Sequence, residues 1–450
     1  MDKVRAAASV AIALGVVRCV LAVSSACVAA TVAVHGDAAS GWRLMRDGEP
    51  FVIRGAGGPG SLEALAACGG NTIRTWGVED AEKMLDGVRM IDRAHKAGIA
   101  VTVGLWLGHE RHGFNWNDPA AIAGQRQMVE NAVAAYRDHP ALLSWGLGNE
   151  MEGVGDNPVI WREVNHLARR IKELDPHHPV MTVVANVSPA KLAAIKAHAP
   201  DIDILGINAY AGVADMAKRL RAENWTKPYC ITEFGLPGPW ESPHTPWKAP
   251  IEPSGAEKAE ATAAAQAAIM ADVGHCLGSY AFLWGQKQEA TASWFGMFLP
   301  TGEKTARVDV MARAWTGAWP ANRSPVLAAA EVPFNGSELA PGESRQVHVR
   351  YADPEHDPLT YRWEVREESS DRREGGDAEH QPPSVAGAIV RSDDRGTAEI
   401  RTPDKPGAYR LFVTVTDPHG SGAVDNWPFF VSPSRVSPPP AGPSPARPSP

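Results

Sequence analysis

Eight short runs of apolar and β-branched residues, at 51–54, 72–76, 100–107, 142–148, 180–184, 204–210, 229–234 and 280–284, alternate with helix-like stretches. Such alternation favours parallel strands, because a covered crossover is needed to carry the chain from the end of one strand to the start of the next. The helix-like stretches lie at 81–96, 120–138, 158–173, 189–198, 214–224 and 257–275, and Gly69-Gly70 gives a stop to the stretch at 61–68. Eight such repeats over about 270 residues match the size of a (β/α)8 barrel. An open doubly wound sheet carries a Gly-rich phosphate turn after its first strand. The Gly-rich segment at 55–60 lacks the dinucleotide spacing, and no acidic residue closes a following strand. The predicted fold class is α/β, with a (β/α)8 TIM barrel over residues 40–320.

Beyond the barrel the pattern changes. Residues 321–432 hold no long amphipathic stretch and carry alternating runs at 345–351, 359–365, 397–401 and 409–416, broken by Gly, Pro and Asp. This predicts a small all-β sandwich, with the charged segment 366–379 as an exposed loop. Residues 433–450, rich in Pro and Ser, read as a disordered tail. At the other end, Lys3 and Arg5 precede an apolar run at 6–17, and a second run at 19–34 follows Arg18. Residues 1–39 therefore read as a signal peptide or an uncleaved membrane anchor, with lipid attachment at Cys27 as a third reading. Each predicts a secreted or cell-envelope protein. A net charge of −8 gives no basic footprint, so nucleic acid is not an expected partner. Cys68, Cys230 and Cys276 read as small buried hydrophobes, a Cys230–Cys276 bridge being left open.

In a (β/α)8 barrel the active site lies at the C-terminal ends of the strands. The polar and aromatic residues ending the runs are Arg74, the group at 106–109 containing Trp106 and His109, Asn149, Glu150, Asn208, Tyr210, Glu233 and Trp284. A carboxylate at the end of an apolar strand is expensive to bury. Either glutamate alone serves equally well as a helix cap or an ion-pair partner. Both together, on the fourth and seventh strands, face one cup, and glycosidic cleavage needs two carboxyl groups so placed. Trp is abundant, 15 against 7 Tyr and 10 Phe. An indole stacks on the apolar face of a pyranose or fills a core.

The barrel region resembles the clan A glycoside hydrolases, families 2 and 5 most closely. The runs that carry the resemblance are Asn71-Thr72-Ile73-Arg74-Thr75-Trp76, Gly148-Asn149-Glu150 and Ile231-Thr232-Glu233-Phe234-Gly235, with 51–55 and 174–180 in support. The resemblance implies Glu150 as acid/base, Glu233 as nucleophile of a retaining double displacement, and Asn149 on a sugar 2-hydroxyl. Arg74 and Tyr210 would orient Glu233, Trp284 would floor the reacting sugar's subsite, and His109 would bind sugar. A carboxyl separation of about 5–5.5 Å goes with retention. Two departures stand out: no sandwich domain fits before residue 51, and glycines at 55–60 replace the polar residues usual after the first strand.

Trp116, Trp240, Trp247, Trp294 and Phe295 lie in loops suited to sugar platforms, or to packing. His109 and His112 lack the zinc-protease spacing, and no Gly-x-Ser-x-Gly elbow occurs, so neither a metal, a cofactor nor a serine nucleophile is expected. The C-terminal segment resembles sandwiches of the polycystic-kidney-disease or cadherin type, in which Asp353 and Asp357 form turns or bind calcium. The expected partner is a β-linked carbohydrate of the β-glucan or β-mannan class. Transglycosylation by the same residues, or a non-catalytic carbohydrate-binding envelope protein, are the alternatives.

Overall fold

The computed structural model describes residues 29–433. Eight parallel strands close a barrel in sequence order: β1 (Ile53–Gly57), β2 (Thr72–Arg74), β3 (Ala100–Leu105), β4 (Leu142–Asn149), β5 (Val180–Ala185), β6 (Ile204–Asn208), β7 (Tyr229–Phe234) and β8 (Cys276–Phe282). All eight predicted runs overlap a strand. The first and last are displaced, because closure pairs Gly278 with Ile53 and Phe282 with Gly57. Only that long-range register decides where β8 ends.

Inside the barrel a polar layer links Thr102 to Ser144 (2.8 Å) and to the Tyr280 hydroxyl (2.6 Å), all buried. Outward-facing residues such as Val103, Trp145 and Leu147 pack against the helices in one continuous core. The helix Pro158–Leu174 shows why those segments wind as they do. Asn157 caps it and Pro158 opens it, while Ile160, Trp161, Val164, Leu167 and Ile171 form its buried stripe. The predicted helix at 81–96 is divided. Val78–Glu82 and Met90–Lys96 flank a small hairpin, Met84–Leu85 with Val88–Arg89, whose turn residues Asp86 and Gly87 both have positive φ (51° and 77°). A further helix, Ala306–Thr316, lies where no helix is predicted.

The expected leader boundary at residue 39 falls within folded structure. Val32–Asp37 pairs with Gly41–Arg46, and that strand with Glu49–Pro50, in a three-stranded sheet. Val32 and Leu44 pack with Ile53, Ala100, Leu143, Met181, Ile204 and Leu277, which lie at the beginnings of barrel strands. The sheet thereby seals the bottom of the barrel, leaving the opposite end for chemistry. The apolar residues 1–28 and the tail at 434–450 lie outside the described residues. Among the described residues no helix is long and apolar enough to cross a membrane.

The C-terminal region forms eight further strands: β9 (Val326–Glu331), β10 (Glu338–Leu339), β11 (Ser344–Ala352), β12 (Thr360–Glu367), β13 (Ile389–Ser392), β14 (Thr397–Arg401), β15 (Gly407–Thr416) and β16 (Gly422–Val431). They make two four-stranded sheets, ordered β9-β11-β14-β13 and β10-β16-β15-β12. Alternate residues from both sheets, among them Val347, Val349, Trp363, Val365, Leu411 and Val413, share one core. Asp353 builds a turn, its Oδ1 accepting from the Glu355 and Asp357 amides (3.0 and 2.9 Å). Cys68, Cys230 and Cys276 are free thiols.

The two units meet through buried charge. Arg410, paired with Glu368 (2.9 Å), donates to the Pro250 carbonyl (2.8 Å) and to Asn426 (2.6 Å). Asn426 in turn donates to Glu252 (2.8 Å), which also pairs with Lys258 and accepts from Thr291 and Ser293. Charges buried there without such partners would cost several kcal/mol each, so this network fixes the junction.

Candidate active site

Glu233 lies near the end of β7, buried, with three donors converging on it. Arg74 Nη1 (3.0 Å) and Trp76 Nε1 (2.9 Å) reach Oε1, and the Tyr210 hydroxyl (2.8 Å) reaches Oε2. Arg74 is held in turn by the Thr232 carbonyl (3.2 Å) and Asn149 Oδ1 (2.6 Å). Asn208 Nδ2 bridges Asn149 Oδ1 (3.1 Å) and Glu150 Oε1 (2.6 Å), while its own Oδ1 accepts from Thr232 (2.7 Å). One hydrogen-bonded chain therefore runs from Glu233 through Arg74, Asn149 and Asn208 to Glu150.

Glu150 follows β4 directly, in a left-handed backbone conformation (φ 52°) that a residue with a side chain adopts at a cost of about 1 kcal/mol or more. Its amide bonds to the Val183 carbonyl (3.0 Å), which helps hold that turn. The two carboxyl groups have unlike surroundings. Burial, and then the nearby Glu233 carboxylate, push Glu150 up to about 7. Burial and Glu233 also raise the Tyr210 phenol well above its ordinary range, so it remains a donor. An acid protonated near neutrality beside a carboxylate with three donors is a division of roles between residues of one type.

This division carries a stability consequence. The folded state retains the Glu150 proton between the ordinary glutamate value of 4.5 and about 7. Glu150's contribution is therefore most favourable below 4.5 and is lost as pH rises through 7. Glu150→Gln, neutral throughout, is expected to be more stable than the wild type above pH 7, by on the order of 2 kcal/mol. Urea unfolding at pH 5 and pH 8.5 checks this. A variant no more stable at the higher pH would contradict the burial of that charge.

Residues from all eight strand ends line a cleft of about 680 Å³, among them Pro59, Trp76, Trp106, Glu150, Asn186, Asn208, Glu233 and Phe282. Trp106 lines it while stacked on His109 (centroids 4.5 Å apart, interplanar angle 18°). His109 itself is buried, its Nδ1 2.7 Å from Arg111, and burial followed by Arg111 lowers it to about 4. It stands behind Trp106 as a neutral ring, outside the cleft lining. The exposed Trp240 forms a rim and meets Tyr210 edge-on (5.8 Å).

Two aromatic expectations are corrected. Trp284 is fully buried: its amide bonds to the Gly57 carbonyl (2.8 Å), its indole to the Ser61 carbonyl (2.9 Å), and its ring packs on Phe298 and Trp315. Strand β8 ends at Phe282, so Phe282 and Leu283 line the cleft in its place. Trp294 is equally buried, tied to the Pro237 carbonyl (3.1 Å) within an aromatic cluster. Trp116 is core, and Trp247 packs on Phe430 of the sandwich. The glycines after β1 have a packing reason as well. A Cβ at Gly58 (φ 140°) would lie 2.4 Å from the Trp284 carbonyl oxygen.

Other residues at the site were not singled out from sequence. Trp76 had a readable signal, since it stands two residues beyond Arg74 and so projects from the same side of an extended chain. Arg307 had none. Buried in the helix Ala306–Thr316, and lowered by that burial to about 10, it donates to the Phe282 (2.6 Å) and Phe295 (2.5 Å) carbonyls and pins the end of β8.

A closed parallel barrel carries two glutamates of unlike environment at its open end, an arrangement that glycosidic cleavage can use. Residues 63–238 match the family model described as "Glycosyl hydrolases family 2, TIM barrel domain", a span that contains Arg74, Asn149, Glu150, Tyr210 and Glu233. The match is to the barrel domain of that family and covers less than half of the chain. Among curated proteins, a probable mannan endo-1,4-beta-mannosidase C of Aspergillus terreus is 28% identical over 154 residues, 28% of this chain and 36% of that protein. A beta-glucuronidase of Bacteroides fragilis is 42% identical over 57 residues, 12% of this chain and 8% of its own. The chain thus spans well under half the length of these relatives. Among solved structures, the beta-D-glucuronidase of Dictyoglomus thermophilum superposes with a TM-score of 0.50 at 17% identity, over 64% of this chain and 54% of that one. That likeness is one of fold.

Proposed function

We propose that the protein is a retaining β-glycosidase acting on β-linked sugars of the β-mannan or β-glucan class. The observation that carries this reading is the contrast between Glu150, raised to about 7, and Glu233, on which a guanidinium, an indole N–H and a phenol converge. Glu150 protonates the departing glycosidic oxygen while Glu233 attacks the anomeric carbon. Glu150, now ionised, then takes a proton from the water that releases the sugar. Asn149, held by Arg74, is oriented toward the 2-hydroxyl. A carbohydrate-binding protein without activity has no use for a carboxyl group kept protonated beside a second one. The mannosidase relative favours β-mannan among the sugars, and the glucuronidase names make β-glucuronides the next class to assay.

The sandwich, by its resemblance to polycystic-kidney-disease and cadherin-type modules, and the charged-then-apolar start of the chain support export to the cell envelope or beyond. Turnover of β-mannan, β-glucan and aryl β-glycosides, followed by NMR of the first-formed anomer, tests the reaction. The β-anomer is expected, and an initial α-anomer would overturn the double displacement. Because the acid must be protonated, kcat/KM is expected to fall tenfold per pH unit above about 7.

A further inference from the structure

The sandwich loop between β12 and β13 is exposed over residues 372–376, as expected of a charged segment, and it also reaches the mouth of the barrel. Arg373, Glu374, Gly375, Gly376 and Asp377 line the same cleft as Glu150 and Glu233. The segment is tied at both sides. Toward β3, Asp377 accepts from His112 Nε2 (2.8 Å) and pairs with Arg111 (3.4 Å), the same Arg111 that lies against His109 beneath Trp106. Toward β8, Lys287 donates to the Gly376 carbonyl, and the Ala290 amide donates to Glu379 (2.8 Å). The loop therefore spans the β3 and β8 sides of the opening, and the buried Arg410–Glu368 network described above anchors its root.

The consequence is geometric. With residues from all eight strand ends and this strap around it, the cleft of about 680 Å³ lies within the range of small-molecule sites, about 300–1,000 Å³. A polymer lying across the β3 and β8 sides of the mouth would meet the strap. We propose that residues 373–377 of the sandwich are a specificity-determining wall of the active site, which restricts the enzyme to chain ends and short oligosaccharides. This rests on the glycosidase reading above and adds to it the mode of attack and the source of the wall.

The experiment uses the full chain and two variants: Asp377→Ala, which releases the Arg111 and His112 anchor, and replacement of 373–377 by two glycines. Rates and products are compared on β-linked oligosaccharides of two to six units and on the matching polymer, with circular dichroism to verify folding. The wild type is expected to release products of one size from chain ends. Both variants are expected to raise KM for short oligosaccharides about tenfold, and to gain at least tenfold on the polymer relative to the disaccharide. Measurable turnover of an aryl glycoside with a small leaving group establishes that each variant is active before its specificity is compared. Active, folded variants with unchanged KM and product pattern would overturn the wall, as would random internal cleavage by the wild type. A wild type inert on every sugar would instead sink the glycosidase reading, and the wall with it.

Discussion

Glu233→Gln is expected to lower kcat by at least about a thousandfold on any substrate the wild type turns over, with folding retained. Loss of a nucleophile that forms a covalent intermediate removes the favoured route, and the residual rate reports what binding and acid catalysis supply without it. Glutamine keeps the shape and an acceptor for Arg74 and Trp76, which now bond Oε1 at 3.0 and 2.9 Å. The amide nitrogen would face Tyr210, whose hydroxyl can turn to accept. The fold should therefore survive while the chemistry does not. Steady-state kinetics with an activated aryl glycoside, together with a mechanism-based inactivator and peptide mass mapping, give the readout. Labelling at any other residue, or a variant with near-normal kcat, would remove Glu233 from the role assigned to it.

Arg74→Met is expected to destabilise the protein by about 3–5 kcal/mol, because removing one member of a buried ion pair leaves the other charge without its counterpart. The side chains of Arg74 and Glu233 are only 2% and 8% exposed, so little solvent screening offsets the loss. The same substitution frees Asn149 from its 2.6 Å bond and cuts the hydrogen-bonded chain that continues through Asn208 to Glu150. Activity should fall by orders of magnitude in whatever fraction remains folded. Arg74→Lys restores charge without the two-armed reach, and is expected to recover stability more than kcat. Equal recovery of both would show that charge alone is needed, and Asn149 would then lose its orienting partner as an explanation. Denaturant unfolding and kinetics on the same samples separate these outcomes.

Much of the site could be read along the chain because barrel chemistry sits where strands end. A run such as Leu142–Asn149 is apolar because its outer face must pack against helices, and the first residue beyond it, Glu150, emerges at the open end. The same logic located Arg74, Asn208, Tyr210 and Glu233, and the structure joins these residues in one network. It failed at Trp284, where a strand-end position depends on how far β8 slides against β1. That register, Gly278 with Ile53, is set by residues more than two hundred positions apart and leaves no local period. Trp284 consequently fills the core, and Phe282 faces the cleft.

The sequence by itself determined the order of the eight barrel strands, the change to an all-β pattern near residue 320, and the pair of glutamates at matching strand ends. Those follow from periodicity and from the high cost of burying a carboxyl group without purpose. Tertiary structure alone decided how these glutamates differ, since the value near 7 at Glu150 comes from burial and from Glu233, a residue on another strand. It alone brought 373–377 to the barrel mouth, through contacts with Arg111, His112 and Lys287. A charged loop and a cleft wall have the same composition, and only the packing of one unit against the other distinguishes them.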